Sequence, residues 1–181
     1  MKVFISGGCK NGKSFYAQRI AKQLSDKNNQ QLYYIATMIA TDDEDRKRIN
    51  KHILDRQGWD FITIEQGRDI YNCSKITGHE AVYLLDSTTA LLANEMFLPD
   101  MKINHDADKK IISDLQVLIN EVDNIVFVSD FIYSDAALYD ELTEKYRQNL
   151  ANIDRFLASV CDSVIEVCSS NIKMWKGNQV V

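Results

Sequence analysis

A glycine-rich stretch near the start of the chain has the residue types and the spacing of a phosphate-binding loop. Gly7 is followed, after four residues, by Gly12, Lys13 and Ser14, which matches the pattern GxxxxGK[ST]. In such a loop the backbone N–H groups converge on phosphate oxygens, the lysine reaches the β and γ phosphates, and the hydroxyl binds magnesium. The pattern predicts a nucleoside triphosphate site, with Lys13 also catalytic. Its predicted nucleotide-binding residues are Gly7, Gly8, Cys9, Lys10, Asn11, Gly12, Lys13 and Ser14.

A carboxylate that would complete a magnesium site follows the apolar run AVYLL. Asp86 stands directly after this run, where the acidic magnesium ligand of a phosphate-binding site is expected. The alternative is that Asp86 caps the helix predicted to follow, a role for which Ser87 competes. We expect Ser14 and Asp86 to hold Mg²⁺ beside the nucleotide.

A histidine lies between two arginines at helical spacing. Arg48, His52 and Arg56 are each four residues apart, so in a helix they should share one face. A solvated face of mixed charge is the usual meaning of such spacing. The same arrangement would also supply a nitrogen nucleophile beside guanidinium donors for a phosphate. His79 and His105 have polar, loop-like neighbours, and we expect both at the surface.

Short apolar runs alternate with longer amphipathic segments along the chain. We predict strands over residues 2–6, 31–37, 60–65, 80–86, 124–130 and 162–168, and helices over 13–26, 42–57, 87–97, 106–121 and 135–160. The second helix should begin with the capping box Thr41 to Glu44.

Several of these strands are apolar on both faces, as strands covered by helices are. The order of elements predicts an α/β domain of the P-loop NTPase type, with a mostly parallel central sheet, helices on both faces and right-handed crossovers. Residues 169–177 are expected to return as a short antiparallel edge strand.

Composition indicates one domain and argues against two classes of protein, general nucleic-acid binders and membrane-spanning proteins. The 181 residues include one proline and seven glycines and show no linker-like run, so we expect one domain over residues 1–181. A net charge of -5 argues against general nucleic-acid binding. No apolar run approaches the roughly 20 residues of a membrane span. The cysteines lack the spacing of metal ligands, and we expect them to be reduced thiols; they are Cys9, Cys73, Cys161 and Cys168. We expect a cytoplasmic protein.

Five segments, taken in order, resemble one enzyme family. They are FISGGCKNGKSFYAQRI, YIATMIATDDEDRKRINKH, WDFITIE, YLLDSTTALLANEMF and YRQNLANIDRFLASVCDSVIEV. The family is the bifunctional adenosylcobinamide kinase and adenosylcobinamide-phosphate guanylyltransferase of cobalamin biosynthesis. The resemblance implies that ATP or GTP phosphorylates a corrinoid, adenosylcobinamide. GMP from GTP would then pass to adenosylcobinamide phosphate and give adenosylcobinamide-GDP.

The resemblance also implies roles for particular residues. His52 matches the family's guanylylated histidine, and Arg48 and Arg56 are candidates for the α-phosphate because a planar fork of donors suits phosphate oxygens. Family members are homotrimers, and we expect the same here. The residues implied near the guanosine are Thr37, Met38, Ile39 and Glu65.

The chain departs from the family pattern at several positions, and two of these departures concern carboxylates. The family's Asn-Glu-Val-Gly is replaced by the run Asp130 to Asp135, and its Asn-Gln pair in the long helix becomes Ile153-Asp154. Asp130 is a candidate base for the acceptor hydroxyl, although the sequence does not decide which carboxylate acts. Two alternatives stay open: a small P-loop kinase of another metabolite, with His52 only a surface residue, and a nucleotide-binding switch without enzymatic activity.

Overall fold

One seven-stranded sheet forms the centre of the molecule in the computed structural model, which describes residues 1–77 and 80–178. The strands are β1 Lys2–Gly7, β2 Gln31–Ala36, β3 Ile62–Glu65, β4 Ala81–Asp86, β5 Asn124–Asp130, β6 Ser163–Cys168 and β7 Asn171–Lys176. Their order is β3-β2-β4-β5-β1-β6-β7. All neighbours are parallel except β6 and β7, which form the predicted antiparallel edge. The α/β prediction is confirmed, while His79 lies outside the described residues.

Helices cover both faces of this sheet, as predicted. They are α1 Lys13–Asn28, α2 Asp43–Asp55, α3 Ser74–Thr77, α4 Thr88–Met96, α5 Ala107–Glu121 and α6 Glu141–Val160. Helix α1 supplies Ile20 to the core on one face. Helices α4, α5 and α6 supply Leu92, Leu115 and Leu157 to the core on the other. The buried strands pack on both sides, which explains their nearly continuous apolar sequences.

The long C-terminal helix begins later than its apolar pattern predicted. We expected a helix from residue 135, but α6 begins at Glu141 because Asp140 caps it. The Asp140 carboxylate accepts hydrogen bonds from the N–H groups of Leu142 and Thr143, at 3.0 and 2.9 Å. Leu138, which the periodicity placed on the buried stripe, is fully exposed in the preceding irregular segment. The cap residue therefore outweighs the periodicity of a single apolar residue.

The start of α2 is shifted by one residue from the predicted capping box. Asp42, rather than Thr41, is the N-cap, and its Oδ1 accepts from the Asp45 N–H at 2.8 Å. The Asp45 carboxylate in turn accepts from the N–H and hydroxyl of Thr41. Glu44 pairs with Arg48 instead of closing the box. Aspartate is at least as good an N-cap as threonine, so a cap shifted by one residue still satisfies a free N–H of the first turn.

Two short elements were not predicted from the sequence. The 3₁₀ turn Ile70–Cys73 and α3 are four residues each, too short to show a periodicity.

All four cysteines are free thiols. Within the described part of the chain, no helix combines the length and the apolar character needed to cross a bilayer.

Candidate active site

The carboxyl ends of neighbouring parallel strands bring the predicted residues to one edge of the sheet. Gly7 at the end of β1 is in register with Asp130 of β5. Ala36 at the end of β2 is in register with both Asp86 of β4 and Glu65 of β3. Open α/β sheets bind their ligands at this edge, where loops and helix N-termini converge. Residues far apart in sequence therefore meet in one place.

The phosphate-binding loop is held tightly between β1 and α1. A Cβ atom at Gly7 would lie 2.3 Å from the backbone oxygen of Val167 in β6, so only glycine fits there. Gly12 has φ +84°, in the left-handed region that favours glycine, and it immediately precedes α1. Lys13 is 8% exposed. Its Nζ lies 2.5 Å from Asp130 Oδ1 and donates to the Gly8 oxygen at 3.2 Å.

A second carboxylate lies behind the pair of Lys13 and Asp130. Asp154 of α6 is 9% exposed, and its Oδ2 accepts a hydrogen bond from the Tyr133 hydroxyl at 2.8 Å. Burial raises the pKa of the Asp154 carboxyl to about 6, and the negative charge of Asp130 adds to the increase. Both acids lie in segments where the sequence departs from the family pattern.

Asp86 is free to face the site because Ser87 takes the capping role. The Ser87 hydroxyl accepts from the Ala90 N–H at 3.3 Å and caps α4. Asp86 Oδ2 accepts a hydrogen bond from the Tyr34 hydroxyl at 3.1 Å. Burial raises the pKa of the Asp86 carboxyl, while the nearby charge of His52 and a hydrogen bond from Ser14 act in the opposite direction.

The surroundings of Asp86 suit a hard divalent cation. Ser14 and Asp86 offer a hydroxyl and a carboxylate oxygen, and Mg²⁺ prefers oxygen ligands together with substrate phosphates. Burial raises the pKa of the Asp86 carboxyl by disfavouring its charged form, and a cation beside it would offset that cost. The donor set therefore fits magnesium.

Helix α2 turns His52 towards the sheet and leaves Arg48 in solvent. His52 is partly buried and close enough to Asp86 to affect its pKa. Arg48 is exposed and pairs with Glu44 at 2.5 Å and with Asp45 at 3.9 Å. Arg56, just beyond the helix, is buried. Although the three residues are evenly spaced, only His52 and Arg56 point inward.

Arg56 is held by contacts that the sequence analysis did not identify. Its guanidinium lies 4.2 Å from the centre of the Tyr34 ring and donates to Thr63 Oγ1 at 3.2 Å. Because the Tyr34 hydroxyl donates to Asp86, this tyrosine links the arginine to the Asp86 carboxylate. The sequence predicts Tyr34 only as part of the apolar strand over residues 31–37. The available signal was its hydroxyl, which needs a partner when a tyrosine is buried.

The residues expected near the guanosine line the ends of β2 and β3. Thr37 is fully buried, and its hydroxyl donates to the Ser87 oxygen and accepts from the Ser87 N–H, both at 2.8 Å. Met38 is partly buried, while Ile39 and Glu65 are exposed. Thr37 thus ties the end of β2 to the turn after β4, and the other three leave side-chain surface open beside it.

A further group of acids lies outside this edge and is already neutralised. Asp69, Glu95 and Asp114 point their carboxylates at one place, where the Lys110 ammonium lies 2.6 to 2.9 Å from an oxygen of each. An internal cation therefore occupies the position that a metal would take. The cluster joins the segment after β3 to α4 and α5.

Most of the chain matches a known protein family. Residues 3–172 match the family described as CobU, cobinamide kinase / cobinamide phosphate guanyltransferase. The chain belongs to the CobU family. It is thus a transferase of cobalamin biosynthesis whose substrates are nucleotides and cobinamide. The family inferred from the five sequence segments is confirmed. A search of curated proteins gives no match.

Solved structures resemble the chain in fold at low sequence identity. A KaiC-like protein, PH0186, from Pyrococcus horikoshii OT3 aligns with TM-score 0.52 and 10% identity, covering 98% of this chain and 79% of its own. The PH0250 protein of Pyrococcus horikoshii OT3 gives TM-score 0.52 and 11% identity, covering 98% and 87%. An ATPase domain aligns with TM-score 0.51 and 13% identity, covering 91% and 68%. These likenesses confirm the P-loop NTPase-like fold.

Proposed function

We propose that this one domain carries out both reactions of the CobU family at a single nucleotide site. One observation carries the proposal. Lys13, Ser14 and His52 all lie close enough to Asp86 to affect the pKa of its carboxyl, so the phosphate-binding loop and the candidate nucleophile meet at the carboxyl ends of β1 and β4. A site of this kind can present a nucleotide's γ-phosphate to one acceptor and its α-phosphate to another.

The first reaction is phosphoryl transfer to the hydroxyl of adenosylcobinamide. The hydroxyl oxygen bonds to the γ-phosphorus of ATP or GTP, and the bond from that phosphorus to the β–γ bridging oxygen breaks. Lys13 and the loop N–H groups stabilise the negative charge that spreads over the phosphate oxygens. Ser14 and Asp86 would hold Mg²⁺, which adds positive charge beside the phosphates when it is bound.

The second reaction uses His52 as a nucleophile. An imidazole nitrogen attacks the α-phosphorus of GTP, pyrophosphate leaves, and GMP stays on the histidine through a P–N bond. A phosphate oxygen of adenosylcobinamide phosphate then displaces the imidazole and forms adenosylcobinamide-GDP. This two-step route divides one difficult transfer into two easier ones. Arg56, buried and held against Tyr34, is the better placed arginine for the α-phosphate.

The remaining assignments follow the same outline. The open surface of Met38, Ile39 and Glu65 would accept the guanosine beside the end of β2. A homotrimeric state and a cytoplasmic location stay predictions from the resemblance and the composition.

The test is covalent labelling with GTP that carries the label on its α-phosphate. Purified protein with Mg²⁺ should retain an acid-labile, alkali-stable label after denaturation, as a phosphorus–nitrogen bond requires. His52→Ala should abolish the label, and the matched variant His105→Ala, at an exposed histidine, should keep it. Adding adenosylcobinamide phosphate should move the label from wild-type protein to the corrinoid.

Two outcomes would overturn parts of this proposal. Wild-type protein that phosphorylates adenosylcobinamide but never acquires label would be a kinase only. Label that survives in His52→Ala would remove His52 from the nucleophile's role and leave the guanylyl transfer to another residue.

A further inference from the structure

The Lys13 and Asp130 ion pair sets a negative charge where nucleotide phosphate is expected. Lys13 is the residue that a P-loop uses to reach the β and γ phosphates. In the structure its Nζ lies 2.5 Å from Asp130 Oδ1. A phosphate that approaches this lysine is repelled by the carboxylate beside it, which favours separation of the ion pair. The Asp130 carboxylate therefore lies next to the position expected for the phosphate.

The backbone around Asp130 keeps the carboxylate near this position after displacement. Strand β5 lies between β1 and β4, so it is hydrogen-bonded on both sides. The Asp130 N–H donates to Thr89 Oγ1 at 3.0 Å, and the next N–H, that of Phe131, donates to the Gly7 oxygen at 2.8 Å. The side chain can rotate, but its Cα is fixed beside the first glycine of the loop.

Asp130 is also reachable from solvent, unlike the other acid next to it. Its side chain is 29% exposed, whereas Asp154 behind it is buried and hydrogen-bonded to Tyr133. Asp86 already accepts from Tyr34 and lies next to Ser14. Asp130 thus combines proximity to Lys13 with access for an acceptor molecule.

We propose that Asp130 is the catalytic base of the kinase step, paired with Lys13 in the resting enzyme and released when nucleotide binds. The acceptor hydroxyl gives its proton to an Asp130 oxygen while its own oxygen bonds to the γ-phosphorus. The bond to the β–γ bridging oxygen breaks, and the nucleoside diphosphate leaves beside Lys13. The inference rests on the kinase activity proposed above.

The variant Asp130→Asn tests both halves of this idea. Loss of the base should lower kcat for adenosylcobinamide phosphorylation about 100- to 1000-fold. Loss of the competing ion pair should tighten nucleotide binding about three- to tenfold. Covalent labelling of His52 by GTP should persist, because an imidazole nucleophile needs no base at Asp130. Asp26→Asn, which removes a carboxylate paired with Lys22 on the surface, is the matched control.

The variant Asp130→Glu separates the role of Asp130 as a base from its role as the ion-pair partner of Lys13. This variant keeps the charge that pairs with Lys13 but moves the carboxylate by one methylene, so kcat should fall without tighter nucleotide binding. If Asp130→Asn keeps kcat within about threefold of wild type, Asp130 is not the base. If labelling of His52 and nucleotide affinity fall together with kcat, Asp130 builds the site instead, and the proposal is equally wrong. Wild-type protein that forms no adenosylcobinamide phosphate would instead refute the proposed function itself.

Discussion

The phosphate-binding loop and the helix that carries His52 are built in contrasting ways. Helix α1, which follows the loop, buries eight residues against the sheet, including Lys13, while α2 buries none. The loop is flanked by strands on both sides of β1. Helix α2 instead relies on the Asp42 cap, on an acidic first turn and on surface ion pairs.

Different interactions therefore hold the two parts of the site in place, the phosphate-binding loop with α1 and the helix α2 that carries His52. Most helical stability in proteins comes from packing, and α1 has that support. Helix α2 is attached mainly through the residues that follow it, where Arg56 contacts Tyr34 and Trp59 contacts Phe15 of α1. The phosphate-binding loop is therefore packed into the core, whereas His52, the proposed nucleophile, is positioned from one end of its helix.

The largest expected effect comes from removing Lys13, the lysine of the phosphate-binding loop. Lys13→Ala should lower kcat of the kinase step about 100- to 1000-fold, since a charge-stabilising donor at the transferred phosphate is lost. It should also weaken nucleotide binding and His52 labelling together, because in the proposed mechanism both reactions use the same loop. Steady-state kinetics and calorimetric GTP titration provide the measurement, with the surface variant Lys22→Ala as control. Labelling at the wild-type rate would show that the two reactions use separate nucleotide sites.

An intermediate effect should distinguish the two arginines of the α2 region. Arg56→Ala should cost about 1–3 kcal/mol in the free energy of unfolding, from lost packing and lost ring contact, and should slow labelling of His52 at least tenfold. Arg48→Ala removes only exposed ion pairs and should cost less than about 1 kcal/mol. Urea unfolding and labelling rates give the comparison. Equal effects of the two substitutions would contradict the inward position of Arg56.

The last expected effect is confined to stability at high pH and concerns Asp154, the buried acid behind Lys13 and Asp130. Because burial raises the pKa of Asp154 to about 6, the folded protein binds its proton more tightly than the unfolded chain does. The wild type should therefore lose stability relative to Asp154→Asn as the pH rises from about 4 to above 6. The variant should be more stable by about 1–3 kcal/mol at pH 8, and the difference should vanish near pH 4.

Urea unfolding at the two pH values measures this difference, and the exposed variant Asp26→Asn should not reproduce it. A difference that does not change with pH would mean that folding does not raise the pKa of Asp154.

The sequence predicted the elements best where a strong local signal agreed with packing. The six parallel strands and α1, α4 and α5 lie within a few residues of their predicted positions. The start of α6 was misplaced because the apolar stripe extends to Leu138 while the cap lies at Asp140. Periodicity records which residues are apolar, but the first turn of a helix depends on which side chain satisfies its free N–H groups.

Within the site, the sequence predicts contiguous motifs but does not predict which side chains from distant segments pair. The glycines, Lys13 and Ser14 follow from a contiguous pattern, because a phosphate-binding loop is a local structure. The placement of Tyr34 between Arg56 and Asp86 depends on three segments that meet only in the sheet. The same is true of Lys13 and Asp130, which are neighbours because β1 and β5 pair in parallel register.

The amino-acid sequence by itself determined the fold class, the phosphate-binding loop and the membership in the CobU family, because these depend on residue types at fixed local spacing and on the order of segments. Only the tertiary structure decided that His52 faces inward while Arg48 faces solvent, and that Asp130 is the partner of Lys13. The physical reason is that side-chain burial and ion pairing depend on which strands and helices become neighbours, and that is fixed by the packing of the whole sheet.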